Sequence, residues 1–325
     1  MATIKDVANL AEVSVATVSR YINNSGYVSE KTKKKIEYSI NKLDYSPNEI
    51  ARSLFQKKSK IIGILLPDLS NPFFSVLAQG AQEYASKYGY FLMIGSGIDS
   101  LKNESKFLHY LKNYNASGVL IASEKIKKYE GEIPAVMIDK KYDVDLSSVS
   151  VDNYSGGRIA AEQVLKGKAE NILVMAGPQN IITSQKRLEG VLSGLKNKNV
   201  DVYQTESFKM ERAKETAIDI IQNLSKNKFD TIIASNDIYA ISLINELNKI
   251  SYSIPDKIQI VGYDNISYSE FTAPALSTID QPAYDMGYLG MKLLFEIINS
   301  DNQIRKDLVL KPKYIQRETL RSDNN

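Results

Sequence analysis

The chain has 325 residues, of which 43% are hydrophobic, and its formal net charge is +3 at pH 7. Its length allows large buried cores and predicts two or three domains. It contains no cysteine and a single histidine, which excludes disulfides, thiolate metal sites and cysteine nucleophiles. We expect a globular protein, and we predict no catalytic residues, metal ions or cofactors.

The charge is distributed unevenly along the chain. Residues 1–60 hold eleven basic and six acidic side chains, a net charge of +5, whereas the remainder has a net charge of −2. A basic N-terminal segment is typical of phosphate contacts to nucleic acid, although a solvated lysine-rich face is the alternative interpretation. No apolar run has the length of a membrane span, and the N-terminus leads into a helix rather than a signal peptide. We expect a cytoplasmic protein with no membrane partner.

Three short helices are predicted over the first 45 residues. Thr3 has the form of an N-cap for the first helix, Ser14 for the second and Ser29 for the third. Glu12-Val13-Ser14 leaves room only for a tight turn, so the first two helices form a helix-turn-helix. The second helix has a face of small side chains and one guanidinium, Val15, Ala16, Ser19 and Arg20, which suits close approach to base-pair edges in a major groove. An ordinary surface helix in a small bundle is the alternative for this segment taken alone.

Three N-terminal motifs resemble the signature of the lactose-repressor (LacI/GalR) family. They lie at residues 4–8 (IKDVA), 13–20 (VSVATVSR) and 45–54 (YSPNEIARSL). Glu12 departs from the glycine that is usual in the family's turn, and a positive φ there would cost roughly 1 kcal/mol. The resemblance implies a DNA-binding domain over residues 1–45 and a hinge helix with its linker over residues 46–60. It also implies that the hinge helix pairs across a homodimer axis and that Leu54 wedges into the minor groove beside Ala51.

The positions that we expect to contact DNA follow from the capped helices and from this resemblance. They are Thr3, Ser14, Val15, Ala16, Thr17, Ser19, Arg20, Asn23, Lys33, Asn48, Ala51 and Leu54. The expected partner is pseudo-palindromic double-stranded operator DNA. The chain ends soon after residue 319 without a heptad tail, so we expect a dimer.

From residue 61 onward, helical periodicity alternates with short apolar runs, which lie at 61–66, 91–94, 119–122, 135–138, 172–176, 231–234 and 258–261. This pattern predicts α/β architecture with doubly wound parallel sheets. A stretch of 265 residues is too long for one core, so we predict two lobes within an effector-binding and dimerisation core at 61–325. The first lobe comprises about 61–159 plus 282–310, and the second about 160–281 plus the C-terminal segment. The resemblance extends over this region to periplasmic sugar-binding proteins and implies that return to the first lobe.

Ligands of open α/β sheets bind beyond the carboxyl ends of the strands. Polar and aromatic side chains stand at these positions, where carboxylates and amides accept or donate paired hydrogen bonds and phenyl faces cover a sugar ring. As a set they match the pocket of the pentose-binding branch of the superfamily, with Lys140 where arginine is usual. The predicted ligand residues are Asn71, Phe73, Phe74, Asp139, Lys140, Thr183, Arg187, Phe208, Asn236, Asp264 and Gln281.

The sequence therefore predicts a transcriptional repressor that responds to a small sugar. The motifs at both ends resemble most the ribose-operon repressors of the family, so ribose is the expected effector. Alternatives within the family are a response to sucrose or fructose and the use of a phosphoprotein corepressor. A soluble sugar-binding protein would not need residues 1–57, and a sugar-modifying enzyme would need a nucleotide-phosphate motif that the sequence lacks.

Overall fold

The structure is a computed structural model that describes residues 2–23, 25–45, 59–96, 101–123, 126, 128–139, 145–208, 210–227, 229–300 and 305–322. The chain divides into two compact units, Met1–Ser59 and Lys60–Asn325. Four residues of the predicted sites, Asn48, Ala51, Leu54 and Lys140, lie outside the described residues, as does the predicted hinge helix.

The first unit contains three helices around a small core. They are α1 (Ile4–Ala11), α2 (Val15–Ile22) and α3 (Glu30–Lys42). Each begins at a predicted N-cap, because the hydroxyls of Thr3, Ser14 and Ser29 accept hydrogen bonds from the amide three residues later. Val7, Val18 and Ile36 are fully buried at the centre. The helices thus share one core, as the apolar periodicity predicts.

The second unit is built from two six-stranded sheets. The strands are β1 (Ile61–Leu66), β2 (Phe91–Ser96), β3 (Gly118–Ile121), β4 (Ala135–Ile138), β5 (Ser147–Val151), β6 (Asn171–Ala176), β7 (Asn199–Gln204), β8 (Thr231–Ile233), β9 (Gln259–Asp264), β10 (Ser277–Asp280), β11 (Asp307–Leu310) and β12 (Lys313–Ile315). Sheet 1 has the order β11-β5-β4-β3-β1-β2 and sheet 2 has the order β12-β10-β9-β8-β6-β7. All pairings are parallel except that of β10 with β12. The two sheets confirm the doubly wound α/β prediction.

Helices cover the faces of both sheets. They are α4 (Pro72–Ser86), α5 (Leu101–Asn113), α6 (Asn153–Lys166), α7 (Ile182–Gly194), α8 (Met210–Asn227), α9 (Asp237–Lys249) and α10 (Ala283–Ile298). Helices α4 and α10 pack closely, since a Cβ at Gly80 would lie 2.1 Å from the Tyr284 carbonyl oxygen. Helices α6 and α7 do the same in the other sheet, where a Cβ at Gly157 would lie 2.1 Å from the Arg187 carbonyl oxygen. Within the described ranges no helix is long and apolar enough to span a membrane.

The chain passes between the two sheets at three places. These are Asp152 after β5, Gln281-Pro282 after β10, and residues 311–312 after β11. The sequence pattern put the first passage near residue 160, which lies inside α6. The structure has it earlier because the whole of α6 packs against α7 and the strands of sheet 2. The Asp152 amide donates to the Leu310 carbonyl over 3.0 Å, so the first and third passages lie side by side.

Candidate functional site

The turn of the helix-turn-helix has a left-handed residue. Glu12 follows α1 with φ 56° and ψ 44°, and its amide caps the helix by donating to the Ala8 and Asn9 carbonyls. Its carboxylate accepts a 2.8 Å hydrogen bond from Lys35. Glu12, where the family usually has glycine, therefore has the positive φ that would produce backbone strain.

One face of α2 is open to solvent. Val15, Ala16 and Arg20 are exposed, whereas Val18 on the opposite face is fully buried. Gly26 lies against the Arg20 methylenes, because a Cβ there would be 2.9 Å from Arg20 Cδ. This face presents exposed small side chains and a guanidinium, which is the shape a base-reading helix requires.

The other predicted DNA-contacting side chains that the structure describes form hydrogen bonds within the unit. Thr3 and Asp6 form a capping box, and the hydroxyls of Ser14 and Thr17 are 2.9 Å apart. Asn23 Nδ2 donates to the Ser19 carbonyl over 2.9 Å and to its hydroxyl over 3.2 Å, while Lys33 pairs with Glu30 at 2.7 Å. These bonds stabilise helix ends, so any DNA contact from these residues must use their remaining donors and acceptors.

The second unit contains a cavity of about 180 Å³, partly open to solvent, at the carboxyl ends of strands from both sheets. Every predicted ligand residue that the structure describes lines it: Asn71, Phe73, Phe74, Asp139, Thr183, Arg187, Phe208, Asn236, Asp264 and Gln281. The remaining lining residues are Pro67, Asp68, Pro178, Asn180, Ile181, Glu206 and Ser207. Most of these residues follow the same strands as the predicted ligand residues, so their position after a strand could have identified them. No sequence signal marks Asn180 and Ile181.

Two carboxylates enter the cavity from left-handed backbone positions. Asp139 follows β4 with φ 68°, and Asp264 ends β9 with φ 113°. Non-glycine residues adopt such values rarely and at a cost of order 1–3 kcal/mol, and they concentrate at binding sites. The strained turn re-aims each carboxylate from the strand edge into the cavity.

Asp264 is a buried acid of the cavity whose pKa is raised. Asp264 is only 8% exposed, and its Oδ1 accepts a 2.6 Å hydrogen bond from Gln281 Nε2. Burial raises the pKa of the Asp264 carboxyl to about 7, although Arg187 and the Gln281 bond act to lower it. The side chain therefore titrates near neutral pH, where it can exchange a proton for a ligand's hydrogen bonds. Gln281 Oε1 is buried and has no hydrogen-bond partner among the described residues, so it is a free acceptor for a ligand hydroxyl.

Arg187 is the cation among the described residues that line the cavity. Nη1 donates to the Ser235 carbonyl over 2.6 Å and Nη2 to Asn153 Oδ1 over 3.1 Å. The guanidinium carbon lies 3.5 Å from the centroid of the Tyr263 ring, a cation–π arrangement. Nε is buried and makes no hydrogen bond within the described part of the chain. The group is thus fixed in position while it retains donors for a ligand.

Amides and aromatic rings complete the lining. Asn71 and Asn236 each use Oδ1 to cap a helix, accepting from the Phe73 and Tyr239 amides at 3.0 Å, so their Nδ2 groups are the parts offered to a ligand. Phe73 and Phe74 meet edge to face with ring centroids 5.1 Å apart. The set supplies acceptors, donors and apolar ring faces, which is the chemistry that polyhydroxyl rings require.

Sequence comparisons place both units among known regulators. Residues 3–48 match the lacI family of bacterial regulatory proteins, and residues 161–320 match the periplasmic binding protein-like domain. The ribose operon repressor of Bacillus subtilis (strain 168) is 40% identical over 329 residues, which cover 100% of both chains. This chain belongs to the lacI family of bacterial regulatory proteins.

Solved structures of the family share the architecture of the second unit. A LacI transcriptional regulator from Alkaliphilus metalliredigens QYMF, in complex with D-xylulofuranose, is 31% identical with a TM-score of 0.75 and covers 81% of this chain and 99% of that one. A LacI family regulator from Enterococcus faecalis V583 with bound ribose is 27% identical with a TM-score of 0.71 and covers 80% and 98%.

Proposed function

We propose that this chain is a dimeric, sugar-responsive transcriptional repressor that controls a ribose-utilisation operon. One observation carries the proposal. The predicted ligand residues that the structure describes all line one cavity, and the same chain has an exposed helix-turn-helix face. The similarity to ribose operon repressors over the full chain supports the same function. As a binder of operator DNA, the protein acts in the cytoplasm.

The cavity favours a single unphosphorylated monosaccharide. Its volume of about 180 Å³ lies below the roughly 300–1,000 Å³ of pockets for drug-sized ligands, which argues against a disaccharide such as sucrose. The Asp139 carboxylate and the ionised form of Asp264 oppose a phosphate group, since like charges repel strongly where water is excluded. D-Ribose is the primary candidate, and D-xylulose is the second because a related regulator was solved with its furanose form.

We also propose that the protein has no enzymatic activity. The only histidine, His109, lies on α5 and is absent from the residues that line this cavity. Among the described residues no group of histidine, aspartate and glutamate is placed to hold a metal ion. The cavity thus offers recognition by hydrogen bonds, and the response that follows is a change in DNA affinity.

The test combines two measurements on the full-length protein. Thermal shift with D-ribose, D-xylulose, D-fructose, sucrose and ribose 5-phosphate identifies the effector, since a ligand at 100 times its Kd adds about 2.7 kcal/mol of stability. Fluorescence anisotropy with an operator selected from random DNA then measures operator affinity with and without that effector. Asp264→Ala is expected to lose the sugar response and to keep sugar-free operator binding. If no sugar stabilises the protein or alters operator affinity, the proposal is wrong.

A further inference from the structure

We propose that Asn153 is a positioning residue that fixes the orientation of Arg187 in the cavity and links it to the first passage between the sheets. The inference rests on the proposed sugar-binding function of that cavity. Asn153 is the first residue of α6, is 4% exposed and does not line the cavity itself. It therefore acts on a ligand only through its neighbours.

The side chain of Asn153 joins three groups. Nδ2 donates to the Val151 carbonyl over 3.2 Å, and Oδ1 accepts from Arg187 Nη2 over 3.1 Å and from the Tyr263 hydroxyl over 3.4 Å. Helix α6 does not need this side chain as its cap, because Asp152 Oδ1 accepts from the Ser155 amide. The amide of Asn153 is thus committed to partners outside its own helix.

Asn153 completes the set of contacts that orients the guanidinium. A planar guanidinium lying on the Tyr263 ring can still rotate within its own plane, so stacking alone does not orient its donors. The Ser235 carbonyl holds Nη1, and Asn153 Oδ1 holds Nη2. With both ends held, the guanidinium of Arg187 has one orientation in the plane of the Tyr263 ring, and a ligand at the cavity meets a cation that is already ordered.

An amide can serve both sides of this position. The side chain must accept from a cation and donate to a backbone carbonyl, which asparagine does at this length. Aspartate would still accept from Arg187 but would set a carboxylate oxygen against the Val151 carbonyl. Alanine would remove both interactions. The two substitutions therefore separate the orientation of Arg187 from the link to Val151.

The location explains why the link matters. Val151 ends β5 of sheet 1, and Asp152, the next residue, donates to the Leu310 carbonyl at the end of β11. A change in the relative orientation of the two sheets moves these strand ends against α6. Asn153 bonds both to Val151 at the end of β5 and to Arg187, so such a change is transmitted directly to the Arg187 guanidinium.

The test uses the full-length protein and isothermal titration with D-ribose. Asn153→Ala is expected to bind the sugar about tenfold or more weakly, as for the loss of a hydrogen bond to a charged group. Asn153→Asp keeps an acceptor for Arg187 and is expected to stay within about threefold of the wild type. Tyr263→Phe keeps the ring against Arg187 and removes the hydroxyl with its 3.4 Å bond to Asn153, so it serves as the matched control, with the same expectation. Wild-type affinity in Asn153→Ala, or a tenfold loss in Asn153→Asp, overturns the inference.

A second readout needs no sugar. The NMR signal of the Arg187 Nε–H, assigned by its disappearance in Arg187→Lys, is expected to be sharp and slow to exchange in the wild type. It should broaden in Asn153→Ala and persist in Asn153→Asp. If the wild type fails to bind D-ribose, the assigned effector is wrong, yet this signal still decides whether Asn153 orients Arg187. An unchanged signal in Asn153→Ala overturns the inference, whatever the sugar.

Discussion

Asn265 donates a 2.9 Å hydrogen bond from Nδ2 to Oδ1 of Asp280, which ties the residue after Asp264 to the residue before Gln281. Arg317 Nη2 donates to Asn265 Oδ1 over 2.9 Å, and its Nη1 donates to the Leu276 carbonyl. The Asp264 and Gln281 side chains bond each other in the cavity, and the hydrogen bonds of the neighbouring Asn265 and Asp280 form a brace that holds their backbones in place. A brace of this kind lowers the cost of ordering the site when a ligand binds.

The first prediction tests this brace with Asn265→Gly. Asn265 has φ 56°, and glycine keeps that conformation while it removes both side-chain bonds. We expect sugar affinity to fall roughly fivefold or more, as for one or two lost hydrogen bonds of about 1 kcal/mol, and sugar-free operator affinity to stay unchanged. Titration calorimetry and anisotropy measure the two quantities.

Asp280→Asn is the matched control, since its amide oxygen remains an acceptor for Asn265. We expect its sugar affinity to stay close to that of the wild type. Wild-type sugar affinity in Asn265→Gly would show that the brace does not support the cavity.

The second prediction separates base reading from phosphate contact in the helix-turn-helix. Arg20→Ala should cost about 1–3 kcal/mol on the preferred operator and little on random DNA, whereas Lys34→Ala should weaken both alike and reduce the salt dependence. Arg20 lies on the exposed face of α2, and Lys34 is exposed on α3. Anisotropy over a salt series measures both effects. Equal losses on the two DNAs for Arg20→Ala would contradict the assignment.

Gly26→Ala checks the same assignment without removing the arginine. The added Cβ would lie 2.9 Å from Arg20 Cδ, so the flexible side chain must shift while its charge stays. We expect specificity for the preferred operator to fall and binding to random DNA to persist. A variant with undiminished specificity would show that the observed position of Arg20 is not the one that reads bases.

The third prediction concerns the left-handed turn residue. For a non-glycine residue this conformation costs roughly 1–2 kcal/mol, more than the 0.4–1 kcal/mol of chain entropy that glycine adds to the unfolded state. Glu12→Gly should therefore stabilise the helix-turn-helix by about 0.5–1 kcal/mol, measured by hydrogen exchange of α1 amides in the full chain. Lys35→Ala removes the exposed ion pair alone and should change little. Faster exchange in Glu12→Gly would contradict the strain argument.

The sequence predicted those elements whose signals are local. Caps such as Ser14, and apolar runs such as 135–138 in β4, are specified within a few residues. Strand β10 was predicted only as the strand that Gln281 follows, and β5, β7, β11 and β12 were not predicted. In β7 most side chains are exposed, and β12 has only three residues, so neither has an apolar run. Their conformation is set by pairing with strands that are distant in the sequence.

The same distinction holds at the cavity. Residues at strand ends were predictable because parallel strands bring their carboxyl ends to one edge. The supporting residues were not, since Asn153 bonds Arg187 across 34 positions and Arg317 bonds Asn265 across 52. No local pattern marks such a pair. The sequence thus indicates which side chains meet a ligand, and the structure adds those that hold them in place.

The last prediction is a pH dependence of both stability and sugar binding that arises from Asp264. Its pKa is about 7 in the folded protein against 3.8 for the ordinary carboxyl. At a pH between these two pKa values, the folded protein keeps a proton on Asp264 that the unfolded chain has released. The free energy of unfolding therefore falls as pH rises from about 4 to about 7. Asp264→Asn cannot ionise and should lose this part of the dependence. Its stability relative to the wild type should therefore be greater at pH 8 than at pH 5, measured by urea unfolding.

Sugar binding should respond in the opposite sense. The ionised carboxylate accepts hydrogen bonds at both oxygens, so a sugar that donates two hydroxyls binds this form better and lowers the pKa of Asp264. Affinity should then rise between pH 6 and pH 8, and binding at pH 7 should release a fraction of a proton. Titration calorimetry in phosphate and Tris buffers, which differ in ionisation enthalpy, measures that release. Proton uptake on binding, or an affinity that does not change with pH, would mean that the ligand does not select the ionised form of Asp264.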